Sequence, residues 1–331
     1  MGLCCVFAGV LPLFAGLYSF LTSHSIFATI GIVFFAYHLL KLFQAVWKII
    51  NVFLLSAPHN FKNKYGQWAV VTGATDGIGK AYAEALSKKH GMNIVLISRT
   101  QSKLDDLAKD LPTETKTVAV DFSVLDDASY QKIEKVLDGL DLGVLVNNVG
   151  MGYDHPEYYH KLTDEQISKM IVINCFAQAK LTKLALSVME NQKRGCIISL
   201  SSFSALAPLP LMGLYGATKE YNRFLSESIR MEAKYTSLQT VQPYFVTTKL
   251  SKIRKASFLI PSPAKFVEDA LKTVGRYNVT FGCLAHQVYG GAARWLVNSP
   301  LGFVYNNITE GHMRGVMKRA YKKKENASKT K

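Results

Sequence analysis

The chain has 331 residues and a formal net charge of +15, a length that predicts one large domain of roughly 200–250 residues plus an appendage. The five cysteines are odd in number and lack metal-type spacing, so neither a disulfide framework nor a metal site is expected. The positive charge would suit nucleic acid, but eight Lys and Arg residues are concentrated in 314–331. No nucleic-acid motif accompanies this basic tail, which favours contact with anionic headgroups over nucleic-acid binding.

The first 55 residues are predicted to form a membrane anchor. Residues 1–40 contain no Asp, Glu, Lys or Arg, and two apolar runs cover 3–21 and 26–40. A helix needs about 20 apolar residues to cross a bilayer, so the first run is just long enough. The positively charged leader and the small-residue cleavage site of a signal peptide are both missing, which favours an anchor over a cleaved signal peptide. Lys62 and Lys64 follow the anchor and favour a cytosolic side for the rest of the chain.

Short apolar runs then alternate with amphipathic stretches, which predicts an α/β fold with a doubly wound parallel sheet. Ligands bind at the carboxyl ends of the strands in such sheets, and each motif described below falls at one of these ends. The predicted strands are 68–72, 93–98, 116–122, 142–148 and 195–202, and the predicted helices are 78–89, 102–110, 126–137, 163–190 and 214–235.

A glycine-rich segment, TGATDGIG, joins the first strand to the first helix. Gly73 would permit a tight turn, Gly77 the approach of a pyrophosphate, and Gly79 close packing of helix on strand. The helix amino terminus adds positive potential for phosphates. The candidate cofactor-binding residues here are Gly73, Thr75, Asp76, Gly77, Ile78 and Gly79.

The ends of the next strands predict the cofactor. Arg99 follows the second strand, where an enzyme that uses NAD would carry Asp or Glu, and its guanidinium would attract a 2′-phosphate. NADPH (or NADP) is therefore expected rather than NADH. Asp121 follows the third strand, where a carboxylate can meet the adenine amino group, and Asn148 follows the fourth, beside the cofactor.

Four residues form the candidate catalytic set. Tyr215 and Lys219 are four residues apart on one helix, and the ammonium is expected to lower the phenol pKa towards neutrality. Lys219 would also hold the nicotinamide ribose. Ser202, at the end of the fifth strand, would donate to the substrate oxygen and so bind the substrate, and Asn174 would hold a proton-relay water.

Together the motifs TGATDGIG and NNVG and the residues Asn174, Ser202, Tyr215 and Lys219 resemble the short-chain dehydrogenase/reductase family over about residues 66–290. The resemblance implies a Rossmann-like fold, Tyr215 as proton donor, Ser202 as the substrate-binding serine, and Lys219 and Asn174 in the family's lysine and asparagine positions. The leading apolar segment, ISRT at 97–100 and QPYFVTTKLSKIRK at 242–255 resemble the very-long-chain 3-oxoacyl-CoA reductases and related 17-beta-hydroxysteroid dehydrogenases. Tyr244 stands where most family members have glycine, a departure that bears on the shape of the nicotinamide pocket.

The substrate side is apolar and then basic. Residues 203–213 would form an apolar wall near the reacting carbonyl. Further along, an apolar stretch is bordered by a cluster of four cations, Lys249, Lys252, Arg254 and Lys255. Such a pairing would suit the phosphates and the hydrocarbon of an acyl-CoA. Residues 281–305 predict membrane-surface helices, so 291–331 is treated as a membrane-associated segment with a basic tail.

The leading hypothesis is NADPH-dependent reduction of a 3-oxoacyl-CoA in fatty-acid elongation. A dehydrogenase of steroids or other lipid alcohols would use the same residues, and a catalytically silent membrane scaffold is a third reading. The resemblance also implies the endoplasmic reticulum membrane, with a homodimer or elongation-complex partners.

Overall fold

The computed structural model describes residues 15–20, 26–56, 59–124 and 127–329. Backbone contacts divide the chain into two compact units, Met1–Leu55 and Ser56–Lys331. The first predicted apolar run, 3–21, lies outside the described residues except for 15–20, which are helical.

The described part of the first unit is mainly one apolar helix. Helix α1 spans Ile26–Ile50 and continues into a π-helical turn at Asn51–Leu55. Large apolar side chains such as Phe35 and Phe43 are exposed along it. The segment Ala28–Leu55, with a mean hydropathy of 1.5, is long and apolar enough to cross a membrane. This exposed apolar surface suggests membrane association.

The second unit is built on a parallel sheet of seven strands in the order β3-β2-β1-β4-β5-β6-β7. The chain starts in the middle at β1, adds strands on one side and then crosses to add β4 on the other. This reversal leaves a crevice at the carboxyl ends of β1 and β4. The strands are β1 (Trp68–Thr72), β2 (Asn93–Ser98), β3 (Thr115–Ala119), β4 (Leu142–Asn147), β5 (Gly195–Leu200), β6 (Thr236–Val241) and β7 (Val279–Thr280).

Helices cover both faces of the sheet and bury two apolar clusters, one on each side. The strands β1, β4 and β5 are buried along their whole length, which explains why they read as continuous apolar runs. The helices are α2 (Phe61–Tyr65), α3 (Gly77–Lys88), α4 (Gln101–Asp110), α5 (Asp127–Leu137), α6 (Asp164–Ile171), α7 (Ala177–Asn191), α8 (Gly213–Glu232), α9 (Pro263–Thr273), α10 (Leu284–Val297) and α11 (Gly302–Lys329).

The predicted α/β fold and doubly wound sheet are confirmed. The first two strands have the predicted limits, whereas β3 is shorter than predicted and ends at Ala119. The predicted helix 163–190 is observed as an unbroken helical segment, Asp164–Asn191, in which a π-helical turn at Val172–Phe176 lies between α6 and α7. This combined segment, Asp164–Asn191, is also long and apolar enough to span a membrane, but a third of it is buried within the fold.

The carboxyl-terminal region is helical. Residues 281–305 contain α10 and the start of α11, and α10 buries one face that includes His286 and Ala293 against the fold. Its other face exposes Val288 and Trp295. The basic tail belongs to the long helix α11, and α10 runs through residue 290, so the catalytic fold continues into the carboxyl-terminal segment.

Candidate active site

The glycine-rich turn brings the amino terminus of α3 to the end of β1. Gly73 adopts a φ of +62°, in the left-handed region that favours glycine. A Cβ on Gly79 would lie 2.3 Å from the Gly73 carbonyl oxygen, so no larger residue fits without movement of the backbone. Asp76 caps the helix, its Oδ1 accepting from the Gly77 N–H at 2.7 Å. The turn therefore has the close packing expected of a pyrophosphate-binding turn.

Polar side chains tie the ends of β1 and β4 together. The Asn148 side-chain amide donates to the Thr72 carbonyl at 2.8 Å. The Thr72 hydroxyl accepts from the backbone N–H groups of Asn148 and Val149 at 2.9 and 3.0 Å. These bonds fix both strand ends at the crevice. Asn148 thus lies where the sequence placed it, although its amide is already used by the protein.

The residues predicted to meet the adenosine half also lie at this edge. The Thr75 hydroxyl is 2.9 Å from that of Ser98 at the end of β2, and the exposed Arg99 follows directly. Asp121 accepts from the Ser123 N–H at 2.9 Å. Burial opposes ionisation of this carboxyl, but hydrogen bonds from Ser123 and the charge of Arg99 outweigh it, so the pKa of Asp121 is lowered. Arg99 therefore projects positive charge over this part of the edge.

Helix α8 brings the predicted catalytic side chains together. The Lys219 ammonium lies 5.9 Å from the centre of the Tyr215 ring and donates to the Leu200 carbonyl at 3.1 Å. Ser202, just beyond β5, hydrogen-bonds with the phenol of Tyr215. Its hydroxyl also accepts from the Ser204 N–H at 3.1 Å. The three side chains therefore converge on one site.

The electrostatics of Tyr215 differ from the sequence prediction. Burial raises the pKa of the phenol, and the hydrogen bond with Ser202 only partly opposes this. Lys219 is almost fully buried, and burial lowers the pKa of its ammonium to about 8. The predicted lowering of the Tyr215 pKa by Lys219 is therefore wrong, because desolvation of the phenolate dominates. Tyr215 is protonated at neutral pH, as a proton donor must be.

Asn174 lies in the π-helical turn between α6 and α7 and is fully buried. Its amide donates to the Met151 carbonyl at 3.0 Å and to the Thr218 hydroxyl at 2.9 Å, and its oxygen accepts from the Met151 N–H at 2.8 Å. Such π-helical turns are frequent at functional sites. Asn174 therefore joins the strand-end loop to the helix that carries Tyr215 and Lys219.

Sequence reasoning missed several residues that position this set. The Ser201 hydroxyl donates to the Lys219 carbonyl at 2.6 Å, and Thr218 connects Asn174 to the Tyr215 carbonyl. A Cβ on Gly150 would lie 3.1 Å from the Lys219 Nζ. The adjacent serines SS (201–202) and the glycine that ends NNVG were available signals, but their contacts depend on tertiary structure.

The substrate side is lined by aromatic rings. Phe203 follows Ser202 directly and packs on Tyr244 and Tyr289, with ring centres 5.0 and 5.3 Å away. Phe281 and Tyr305 complete the same buried cluster. The first half of the segment 203–213 therefore packs against the carboxyl-terminal helices beside the site.

The predicted cation cluster is only partly available for a ligand. The Lys249 ammonium lies 2.8 Å from the Asp76 carboxylate, and that of Lys252 donates to the Asp154 carbonyl at 2.7 Å. Arg254 and Lys255 are exposed. Two of the four cations are therefore already held by groups of the protein.

The donor set fits a phosphorylated dinucleotide. The N-terminus of α3, which has twelve residues, offers its helix dipole at the crevice. Lys219 is a buried cation with ample donor capacity, and ribose hydroxyls are suitable acceptors for it. Arg99 supplies positive charge at the far end. The residues present therefore match the phosphates and sugars of a nicotinamide cofactor.

Comparisons with known proteins agree with this geometry. The short chain dehydrogenase family model matches residues 67–257. A very-long-chain 3-oxoacyl-CoA reductase from Mus musculus is 42% identical over 88% of this chain and 91% of its own length. A 7beta-hydroxysteroid dehydrogenase structure is 23% identical, covers 77% of this chain and 99% of its own, and superposes with a TM-score of 0.67, which shows the shared fold. A short-chain dehydrogenase from Sphingobium yanoikuyae in complex with NADPH is 25% identical, covers 70% of this chain and 95% of its own, and has a TM-score of 0.58.

The match extends from β1 to beyond β6 and includes the glycine-rich turn, Ser202, Tyr215 and Lys219. The chain therefore belongs to the short-chain dehydrogenase family and is an oxidoreductase that uses a nicotinamide cofactor and acts on CH–OH or C=O groups.

Proposed function

We propose that the chain reduces a 3-oxoacyl-CoA to the 3-hydroxyacyl-CoA with NADPH, as one step of fatty-acid elongation. The observation that carries this proposal is the 42% identity to a very-long-chain 3-oxoacyl-CoA reductase across 88% of the chain. The convergence of Tyr215, Lys219 and Ser202 supports it, because these side chains provide a proton donor, a cation and a hydrogen-bond donor in one place.

In the proposed mechanism Ser202 and Tyr215 bind the carbonyl oxygen at C3 of the substrate. When bound, the reduced nicotinamide would supply the hydride to the carbonyl carbon. As negative charge develops on the oxygen, Tyr215 transfers its phenolic proton to it, so the product is a neutral alcohol. Lys219 stabilises the resulting phenolate and hydrogen-bonds the ribose. A water held by Asn174 returns a proton to Tyr215.

The preference for NADPH is assigned to Arg99. No acidic side chain follows β2 directly, since Ser98-Arg99-Thr100 occupies this position. A guanidinium there pairs with a 2′-phosphate, whereas a carboxylate would repel it. Asp121, one strand further, is assigned to the adenine amino group.

The substrate side supports a long apolar acyl chain rather than a compact polar molecule. The aromatic cluster beside Ser202 is continuous with α10 and α11. Exposed apolar side chains on the outer faces of these helices, including Trp295, Phe303 and Ile308, suit a lipid surface. Arg254 and Lys255 are the cations left for the CoA phosphates.

We further infer residence in the endoplasmic reticulum membrane, with the catalytic unit in the cytosol and with a homodimer or elongation enzymes as partners. The exposed apolar helix α1 and the lysines that follow it support the anchor and its orientation. Protease protection of sealed microsomes tests this orientation: the catalytic unit should be digested without detergent.

The experiment that tests the proposed activity compares NADPH oxidation by the purified full-length protein with 3-oxoacyl-CoA and with keto-steroids. Turnover of the acyl-CoA at least tenfold more efficient than that of any keto-steroid is expected. The reverse preference would overturn the substrate assignment and leave the catalytic residues in place.

A further inference from the structure

His286, at the start of α10, is fully buried and binds the backbone at two distant positions. Its Nδ1 lies 3.3 Å from the Tyr244 N–H nitrogen, and its Nε2 lies 3.0 Å from the Leu259 carbonyl oxygen. Nδ1 must accept the first bond and Nε2 must donate the second. Only the neutral imidazole with the proton on Nε2 satisfies both partners.

The segment between these two contacts, residues 245–258, is here called the site loop. Its Thr248 side chain reaches the glycine-rich turn, where a Cβ on Gly77 would lie 3.1 Å from the threonine Cγ2. Its Lys249 pairs with Asp76 in the same turn at 2.8 Å. The loop therefore covers one side of the cofactor crevice.

The same loop also reaches the reacting end of the site. A Cβ on Gly152 would lie 3.7 Å both from the Leu250 Cδ1 and from the Tyr215 Cε2, so the leucine lies beside the catalytic ring. Lys252 donates to the Asp154 carbonyl at 2.7 Å. The loop thus spans the site from the glycine-rich turn to the segment that follows β4.

The contacts at the tip of the site loop differ in kind from those at its base, where both ends of the loop meet His286. Lys249 and Lys252 are well exposed, with 83% and 64% of the side-chain surface accessible, and exposed ion pairs contribute little to stability because solvent screens them. The His286 bonds are buried, and loss of one partner would leave a buried backbone group unsatisfied. The base of the loop is therefore held more firmly than its tip.

We propose that His286 is a positioning residue that holds both ends of the site loop and so keeps this loop closed over the cofactor and the reacting carbonyl. This inference rests on the proposed active site. It also makes closure dependent on protonation, because a second proton on Nδ1 would face the Tyr244 N–H and break that contact.

The surroundings of His286 contain few groups that could offset such a charge. Tyr244 and Phe266 contact the ring, and Cys283 lies one turn away on the chain. Asp269, whose charge acts on Cys283, is already paired with Lys265 and Lys272. Burial lowers the pKa of His286 from the ordinary 6.5. The contacts are therefore intact above pH 6.5 and are lost as the pH falls below this value through the lowered pKa.

Trypsin provides a direct test, because the loop contains four cleavage sites at Lys249, Lys252, Arg254 and Lys255. Full-length His286→Phe keeps the ring but has neither hydrogen bond, and His286→Gln keeps one donor and one acceptor. The matched control is His90→Phe, a half-buried histidine that packs on Phe61 away from the loop.

Tryptic cleavage within the loop at pH 8 should be at least tenfold faster in His286→Phe than in the unmodified protein, as measured by mass spectrometry of the fragments. It should be intermediate in His286→Gln and unchanged in His90→Phe. In addition, the KM for the carbonyl substrate should rise at least fivefold in His286→Phe. Hydrogen exchange of loop peptides, corrected for intrinsic rates, should accelerate below pH 6.5 in the unmodified protein but not in His286→Gln.

Unchanged loop cleavage in His286→Phe would overturn the proposal. So would equal acceleration of cleavage throughout the chain in both His286 variants, which would indicate a general loss of stability. Because the cleavage assay needs no substrate, its result is independent of whether 3-oxoacyl-CoA is the true substrate.

Discussion

Tyr215 is the residue on which the proposed chemistry depends. Tyr215→Phe removes the proton donor but keeps the ring, so kcat should fall at least about 100-fold while the dissociation constant for NADPH changes by less than about threefold. Stopped-flow turnover and cofactor fluorescence measure the two quantities. Tyr221→Phe, on the exposed surface of the same helix, is the matched control. Retention of most activity in Tyr215→Phe would show that another group donates the proton.

The lowered pKa of Lys219 predicts that cofactor binding depends on pH. Burial lowers its pKa to about 8, so the ammonium that we propose to bind the ribose loses its charge as the pH rises through this value. NADPH affinity should therefore be constant from pH 7 to about 7.5 and then decrease up to pH 9.5. The cofactor phosphates do not titrate between pH 7 and 9.5, because their last ionisation is near pH 6. Lys219→Met should bind weakly at every pH, and an inflection that persists in this variant would assign the titration to another group.

Arg99 sets the cofactor preference in this account. Arg99→Asp should shift the ratio of NADPH to NADH affinity towards NADH by at least tenfold, about 1.4 kcal/mol, because a carboxylate repels the 2′-phosphate and binds ribose hydroxyls. Lys103→Asp makes the same change of charge at an exposed position one turn later and should leave the ratio within about twofold of its original value. Equal effects of the two substitutions on this affinity ratio would mean that the overall electrostatic potential of the surface, and not a direct contact with Arg99, sets the cofactor preference.

Among the elements, the turn between β1 and α3 should tolerate an added side chain least. Gly79→Ala would place a methyl group 2.3 Å from the Gly73 carbonyl oxygen. The free energy of unfolding should fall by about 1–3 kcal/mol, and NADPH binding should weaken with it. Gly291→Ala, in α10 with nothing within 4 Å of its Cβ, should have no such cost and is the control. Chemical denaturation of both variants measures the difference. A neutral Gly79→Ala would show that the turn can widen.

The elements near the glycine-rich turn were predictable because local signals and tertiary structure agree there. WAVVT and NIVLIS are buried on both faces, so apolar runs alone gave the limits of β1 and β2. β6 was missed because TSLQTV contains the polar residues Gln239 and Thr240, which are buried in the fold. The Gln239 amide donates to the carbonyls of Thr273 and Tyr277, which lie 34 and 38 residues further along the chain. The π-helical turn at Asn174 was also missed, since its hydrogen-bond partners come from Met151 and Thr218.

The candidate site also combines residues that local sequence predicts with contacts that only the tertiary structure shows. Tyr215, Lys219, Ser202 and Asn174 were identifiable from order and spacing, and the structure brings them together. The role of residues 245–258 was not identifiable, because the contacts of Lys249 and Lys252 join segments that are 98 or more residues apart. The pKa of Tyr215 was predicted in the wrong direction, because burial cannot be read from the spacing of two residues.

At the scale of the whole molecule, the anchor should be separable in function from the catalytic unit. Deletion of residues 1–55 removes α1 and should leave a protein that binds NADPH but is extracted from membranes more readily by alkaline carbonate. Residual attachment is expected from α10 and α11, and high salt should weaken the share of it due to the basic tail. Release of the full-length protein as readily as a soluble marker would contradict the anchor assignment.

The most direct test of the central claim is the product of a single turnover. Purified full-length protein, NADPH and a long-chain 3-oxoacyl-CoA should yield the 3-hydroxyacyl-CoA, one NADPH being oxidised per alcohol formed, and Tyr215→Phe should yield at least about 100-fold less. Mass spectrometry of the acyl-CoA pool measures both. Absence of the 3-hydroxy product with intact NADPH binding, together with rapid reduction of a keto-steroid, would contradict the account.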